Sequence, residues 1–460
     1  MPRFLSAPTS RRSFAASAIC LLGSAVIVSC GSDSTGTGGS TAGDITAINH
    51  VVVIYLENRS FDNTYGEFIG AEGLNAGSAA PKQIDGGGAA YAALPEVNGS
   101  PIPTNLGNAP FNIAQYLPPA TPTRDLVHRY YQEQIQIDGG KMDKFVQVSD
   151  AMGLSMGYYH TSALPLSTEA ANYTLADHFF HSAFGGSFLN HLYFISTAAP
   201  AFPNAPTSVV ATLDANGNLL TDGFVTPDGF AVNTAYSVNS PHPATVPANQ
   251  LVPNQTLPTI GDRLNDKGVS WAWYSGGWND AIAGHPDPLF QYHHQPFIYF
   301  ANYADGTPGR AAHLKDESDF IAVAHAGTLP AVSFIKPLGM NNEHAGYADI
   351  LTGENHTVQL INAVRNGPNW KDAAIIITYD ENGGFWDHVP PPKIDKWGPG
   401  TRVPALIISP FAKKGFVDHT QMETVSILTF IEKRFGLTAL GTRDAAAADM
   451  TTAFDFTQKP

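Results

Sequence analysis

Cysteine is nearly absent from this chain: 460 residues contain only Cys20 and Cys30, both close to the amino end. The body beyond residue 30 therefore has no thiol for a disulfide, a thiolate zinc site or a nucleophile. A chain this long can bury enough surface to hold together without staples. Charge is sparse too, at 14% of residues, and basic charge sparser, with 25 Lys and Arg against 40 Asp and Glu. The net charge of −15 argues against a nucleic-acid-binding face. Past the first thirty residues no apolar run reaches spanning length, which argues against a polytopic membrane protein. What is plentiful is core-forming and loop-forming: 43% hydrophobic residues, 11% aromatics, 43 Gly and 34 Pro. The expectation is a large globular domain with long ordered loops.

The amino end reads as an address. Ser10-Arg11-Arg12-Ser13-Phe14 is a twin-arginine pattern, followed by a short apolar stretch from Ala15 to Val28. Ile27-Val28-Ser29-Cys30 then resembles a bacterial lipobox, and the Gly/Ser/Thr-rich segment after it is a tether by composition. The expected division is a lipoprotein signal over 1–29, a tether over 30–47 and one catalytic domain over 48–460. Removing Arg3, Arg11 and Arg12 leaves 22 basic against 40 acidic residues, so the mature body is more acidic still. Membrane attachment would then rest on lipid at Cys30 alone. The expected location is the periplasm or outer membrane of a Gram-negative cell.

Along the body a helical pattern, a Gly or Pro break and a buried β-branched run recur. Ile260–Lys267 leads to Val269–Tyr274, Asp319–Ala326 to Ala331–Ile335, and Thr357–Arg365 to Ala373–Tyr379. His50–Leu56 and Val403–Ile408 are further strand candidates, and Glu423–Phe435 a further helix. Runs without alternation suit strands covered on both faces, so the fold class is α/β with a mostly parallel central sheet and helices on both faces. The stretches around 77–126 and 199–256 are long for connections and are expected to wall a site.

In such a sheet ligands bind beyond the carboxyl ends of the strands. His50–Leu56 runs into Glu57 and Asn58, and Ala373–Tyr379 runs into Asp380, Glu381, Asn382, Gly383 and Gly384. Oxygen donors at two strand ends suit a hard divalent cation, although Asp, Asn and Glu also favour helix starts. Gly185-Gly186-Ser187 sets a serine in a turn that permits close approach, but it is not the elbow of an α/β-hydrolase. Among 16 histidines, His128, His293, His294 and His344 stand in turn-rich polar or aromatic settings. Imidazoles there are able to bind phosphate or protonate a leaving oxygen. Trp386-Asp387-His388 adds a carboxylate and an imidazole suited to holding the Gly383-Gly384 loop.

The segment His50–Asp62 with Thr64-Tyr65-Gly66 resembles the signature of the bacterial phosphoesterase superfamily. That superfamily joins respiratory-burst-inhibiting acid phosphatases to non-specific phospholipases C. Further matches follow in order at 138–143, 175–180, 185–191, 342–344 and 379–389. The resemblance implies an alkaline-phosphatase-like core and a divalent metal of unspecified identity held by Glu57, Asn58, Asp380, Glu381 and Ser187. It also implies Ser187 as phosphate-accepting nucleophile, with His128, His293, His294 and His344 around the phosphate. Phospholipase C members tend to carry threonine after Gly-Pro where this chain has Gly-Gly-Ser, and are often longer. Both departures point toward acid phosphatase, with phospholipase C as the alternative and a non-catalytic binding lipoprotein as a third reading. Expected partners are phosphorylated small molecules or phospholipid headgroups. Activity on monoesters is expected to peak below neutrality, on the premise of a positively charged histidine ring.

Overall fold

The computed structural model describes residues 44–74 and 80–458. The expected signal, Cys30 and the tether up to residue 43 lie outside the described residues. No helix among them is long and apolar enough to cross a membrane.

An eight-stranded sheet organises the chain. Its strands are β1 (His50–Leu56), β2 (Thr174–Ala176), β3 (Trp271–Ser275), β4 (Leu314–Asp316), β5 (Val332–Lys336), β6 (Ala373–Tyr379), β7 (Ala405–Ile408) and β8 (Phe416–Asp418). Their spatial order is β8-β2-β7-β6-β1-β5-β3-β4. All neighbours pair in parallel except β7, which runs antiparallel to both β6 and β2. The sheet is thus mostly parallel, as expected, with one reversed strand that composition alone does not mark. Every residue of β6 is buried, and every residue of β1 after His50. Because successive side chains point to opposite faces, this burial means both faces are covered.

The principal helices are α1 (Phe61–Tyr65), α2 (Tyr130–Ile137), α3 (Ser187–Ser196), α4 (Ile260–Asp266), α5 (Glu317–Ala326), α6 (Ile350–Arg365) and α7 (Thr424–Phe435). Capping boxes start α4 at Thr259 and α5 at Asp316, and Gly327 and Gly436 end α5 and α7 in the left-handed conformation.

Register places the site. β1 and β6 pair residue for residue from His50 with Ala373 to Leu56 with Tyr379. Glu57 and Asp380 therefore leave the sheet side by side, and the Asp380 N–H donates to the Leu56 carbonyl at 3.0 Å. On the other side Ile54 pairs with Ile335, so β5 delivers Lys336 to the same rim. Three adjacent parallel strands end together there.

Candidate active site

The two rim loops interlock through backbone geometry. Asn58 takes a left-handed φ of 62°, its N–H donates to Asp380 Oδ1 at 3.4 Å, and the Arg59 N–H donates to the Glu381 carbonyl at 3.1 Å. Gly383 is also left-handed, at φ 60°, and a Cβ there would lie 2.6 Å from the Asn58 carbonyl oxygen. Only glycine lets the loops approach this closely. The buried guanidinium of Arg402 donates to both oxygens of Asp387 and to Asp62, while His388 contacts Asp62 at 2.6 Å. Asp387 and His388 pair with Asp62 and Arg402 rather than with Gly383 or Gly384, contrary to expectation, and do not line the cleft.

Glu57, Asp380 and Glu381 are fully buried, and one oxygen from each lies within 4.8 Å of the others. Burial and the charge of Glu57 push the Asp380 carboxyl up to about 7. Burial and Asp380 push Glu381 well above the usual carboxylate range. Glu57 goes the other way: burial would raise it, but Lys336 and His294 hold it well below its ordinary value. The Asn58 amide reaches Glu57 Oε2 at 2.9 Å and Glu381 Oε1 at 3.2 Å. Turned nitrogen-first it donates to both. Turned oxygen-first it adds a fourth acceptor, an arrangement favourable only around a cation. Asp380 Oδ2 is buried without a hydrogen-bond donor. Crowded hard oxygens with an orphaned acceptor fit a divalent metal.

The serine arrives at the start of α3. Its Oγ donates to Glu57 Oε2 at 3.0 Å. No side chain caps α3, so the first-turn N–H groups at Ser187 face outward at the positive end of the helix. A Cβ on Gly185 would lie 2.5 Å from the Tyr130 nitrogen, and one on Gly186 2.8 Å from the His128 carbonyl oxygen. The Gly-Gly pair thus seats the turn directly against the segment carrying His128.

A cleft of about 470 Å³ opens above Ser187, lined among others by His128, His293, His294 and His344. Asp125 from the first long insertion and Asn233 and Thr234 from the second also line it, so both insertions wall the site. His128 Nδ1 contacts the Leu126 carbonyl and His344 Nδ1 the Ala345 carbonyl, each at 2.5 Å. Each Nδ1 thereby carries a hydrogen, and each Nε2 is free for other contacts. His294 Nε2 lies 2.5 Å from Glu57 Oε1, whereas His293 packs edge-on against Phe188 and His191. His293, His294 and His344 are held neutral in the free site. Burial, with the neighbouring positive groups, pulls His293 well below its usual value, His294 to about 4, and His344 down as well.

Two residues escaped the sequence reading. Lys336 is wholly buried, with Nζ 2.9 Å from Glu57 Oε1 and 3.6 Å from Asp380 Oδ2. His191 is buried, stacks on His294 and lies 3.8 Å from Asp380 Oδ2. With Glu57 and His294 it offers a second, mixed ligand set beside the carboxylates. The strand-end rule was enough to flag Lys336, the residue directly after the expected run Ala331–Ile335.

The sequence matches the Phosphoesterase family over residues 48–438. The chain belongs to that family. As a phosphoesterase it is a phosphoric-ester hydrolase. It is 27% identical to phospholipase C A of Mycobacterium tuberculosis, covering 92% of this chain and 80% of that protein. It is 25% identical to the non-hemolytic phospholipase C of Pseudomonas aeruginosa, covering 90% of this chain and 58% of that protein. Among solved structures, the lipoteichoic acid synthase LtaP of Listeria monocytogenes aligns at TM-score 0.39 and 8% identity, over 90% of this chain and 79% of that one. An alkaline phosphatase superfamily protein of Vibrio parahaemolyticus aligns at TM-score 0.35 and 10% identity, over 73% of each chain. The phosphoesterase assignment rests on the sequence match.

Proposed function

We propose that this phosphoesterase cleaves phosphate monoesters by attack of Ser187 and passes through a phosphoserine. The observation that carries the reading is the Ser187 hydroxyl, donating to a buried carboxylate at the mouth of a polar cleft. Glu57, Asn58, Asp380 and Glu381 would hold a divalent cation beside Ser187, where it would supply positive charge to lower the serine pKa and polarise a phosphoryl oxygen. Glu57 accepts the Oγ–H hydrogen bond and so orients the hydroxyl, whose proton is lost to solvent as Oγ bonds to phosphorus. The first-turn N–H groups of α3 stabilise the equatorial oxygens. His128 and His344, each tied at Nδ1 to a carbonyl, donate to phosphate through Nε2 once protonated, and one of them protonates the leaving alkoxide. Water then attacks phosphorus and the serine oxygen leaves with its proton restored.

Because His344 is neutral in the free site, substrate binding takes up a proton. The acidic preference then enters through KM, which rises with pH. The names of the relatives favour a second reading, a phospholipase C acting on headgroup diesters. The two part in one assay. The first predicts kcat/KM for p-nitrophenyl phosphate well above that for p-nitrophenylphosphorylcholine at pH 5–6, a range set by the histidine reference value of about 6.5. Preference for the choline diester selects the second. The lipobox supports export and lipid attachment at Cys30, at the periplasm or outer membrane. Mass spectrometry of the native amino terminus tests it, and an unmodified start elsewhere refutes it.

A further inference from the structure

Glu133 takes no part in the chemistry above, yet it touches the turn that carries Ser187. It projects from α2 with no solvent exposure. Its Oε2 accepts the Gly185 N–H at 2.6 Å. Its Oε1 accepts the Thr401 N–H at 2.9 Å and the Thr401 hydroxyl at 2.8 Å, and faces His181 Nε2 at 2.7 Å. His181 is equally buried, and its Nδ1 lies 2.8 Å from the Ala183 carbonyl. Both ring nitrogens face acceptors, so the imidazolium form donates at both ends.

From the opposite side the Asn190 amide donates to the carbonyls of Ala183, Gly185 and Gly186 at 2.9, 3.1 and 3.2 Å. The turn is therefore held by Asn190 of α3 at these carbonyls and at the Ala183 N–H, and by Glu133 at the Gly185 N–H. Gly185 has φ 87°, and Ser187 begins the helix two residues later. The rotation fixed at the Gly185 amide sets where the serine oxygen points. A misplacement of about 1 Å costs on the order of 100-fold in rate.

We propose that Glu133, paired with His181, is the positioning residue for Ser187, fixing the Gly185 amide and so placing Oγ against Glu57. The inference rests on Ser187 being the nucleophile. Only a carboxylate fills the position, because it accepts at both oxygens. A glutamine has one acceptor oxygen, so its NH₂ must face either the Gly185 N–H or the donors of Thr401 and His181. Burial opposes ionisation of Glu133, but the His181 charge and the Gly185 and Thr401 amides hold its carboxyl below the usual range.

The test is a single-turnover experiment with enzyme in excess over p-nitrophenyl phosphate, run on wild type, Glu133→Gln, Glu133→Asp and Ser187→Ala. The plateau rate constant at saturating enzyme is the readout, since a misfolded fraction shifts the half-saturation point and leaves the plateau unchanged. Glu133→Gln is expected to lower the plateau about 10- to 100-fold. Glu133→Asp keeps both acceptors on a shorter stem and is expected to fall between it and wild type. It also serves as the test if Glu133→Gln does not fold. A wild-type plateau in either variant, with Ser187→Ala inactive, overturns the positioning role and leaves the nucleophile standing. Activity in Ser187→Ala overturns the nucleophile, and the inference with it.

Discussion

Replacing Lys336 with methionine keeps the length of the stem and removes the ammonium from a wholly buried site between Glu57 and Asp380. At an effective dielectric of about 20, a pair at 2.9 Å is worth roughly 6 kcal/mol and one at 3.6 Å roughly 5 kcal/mol. The variant does not lose that whole sum, because Glu57 escapes its unpaired charge by binding a proton. Taking up that proton at pH 7, from an ordinary carboxylate value of 4.5, costs about 3.4 kcal/mol at ~1.36 kcal/mol per unit. At pH 5.5 the same step costs about 1.4 kcal/mol. Without the ammonium, burial pushes the Glu57 carboxyl upward, so the penalty is expected to be small below pH 4.5 and to grow as pH rises. For a domain of roughly 400 residues, with an unfolding entropy of about 2 cal/mol/K per residue, this lowers Tm by about 4 °C at pH 7 and under 2 °C at pH 5.5. The assay is thermal unfolding of wild type and variant with a chelator present, so that no bound cation replaces the ammonium. A Tm difference that is equal at the two pH values, or absent at both, refutes Lys336 as the counter-charge of the cluster.

Gly383→Ala drives a methyl group into the Asn58 backbone at 2.6 Å and strains a left-handed position. It is expected to weaken divalent-metal binding at least tenfold in equilibrium dialysis, and unchanged affinity would show that the loops need not interlock. The Glu133–His181 pair predicts a stability plateau. The lowered Glu133 contributes fully above 4.5 and is lost as pH falls through its folded value, while the raised His181 contributes fully below 6.5 and is lost as pH rises through its own. Tm is therefore expected to peak between those values, and both limbs should flatten in a Glu133→Gln/His181→Gln double variant. A double variant with the wild-type profile would assign the limbs to other groups.

The parts of the fold carried by composition were readable in advance. β1 and β6 coincide with the runs His50–Leu56 and Ala373–Tyr379, and both polar clusters lie at their carboxyl ends. Thr357–Arg365 proved to be the second half of α6, which begins at Ile350, because buried Gly353 and Glu354 interrupt the apolar period. The direction of β7 was unreadable, since a buried strand looks alike in either orientation. Gly185-Gly186-Ser187 reads as a turn, and the helix that starts at Ser187 shows only in the structure, where all ten residues of α3 are buried. A lysine after a strand is most often solvated, so its place in the sequence alone does not mark Lys336 as part of the site. Glu133, His181 and Thr401 lie far apart in sequence, and their shared contact with Gly185 has no local signature.

The central claim is that Ser187 attacks phosphorus. The most direct test mixes the protein with p-nitrophenyl phosphate, quenches with acid, and identifies any phosphorylated peptide by mass spectrometry, with Ser187→Ala turnover measured in parallel. Phosphate is expected on the peptide containing Ser187, with less than a few per cent of wild-type kcat in the alanine variant. Phosphate on a different residue, or an alanine variant that keeps substantial turnover, would contradict it.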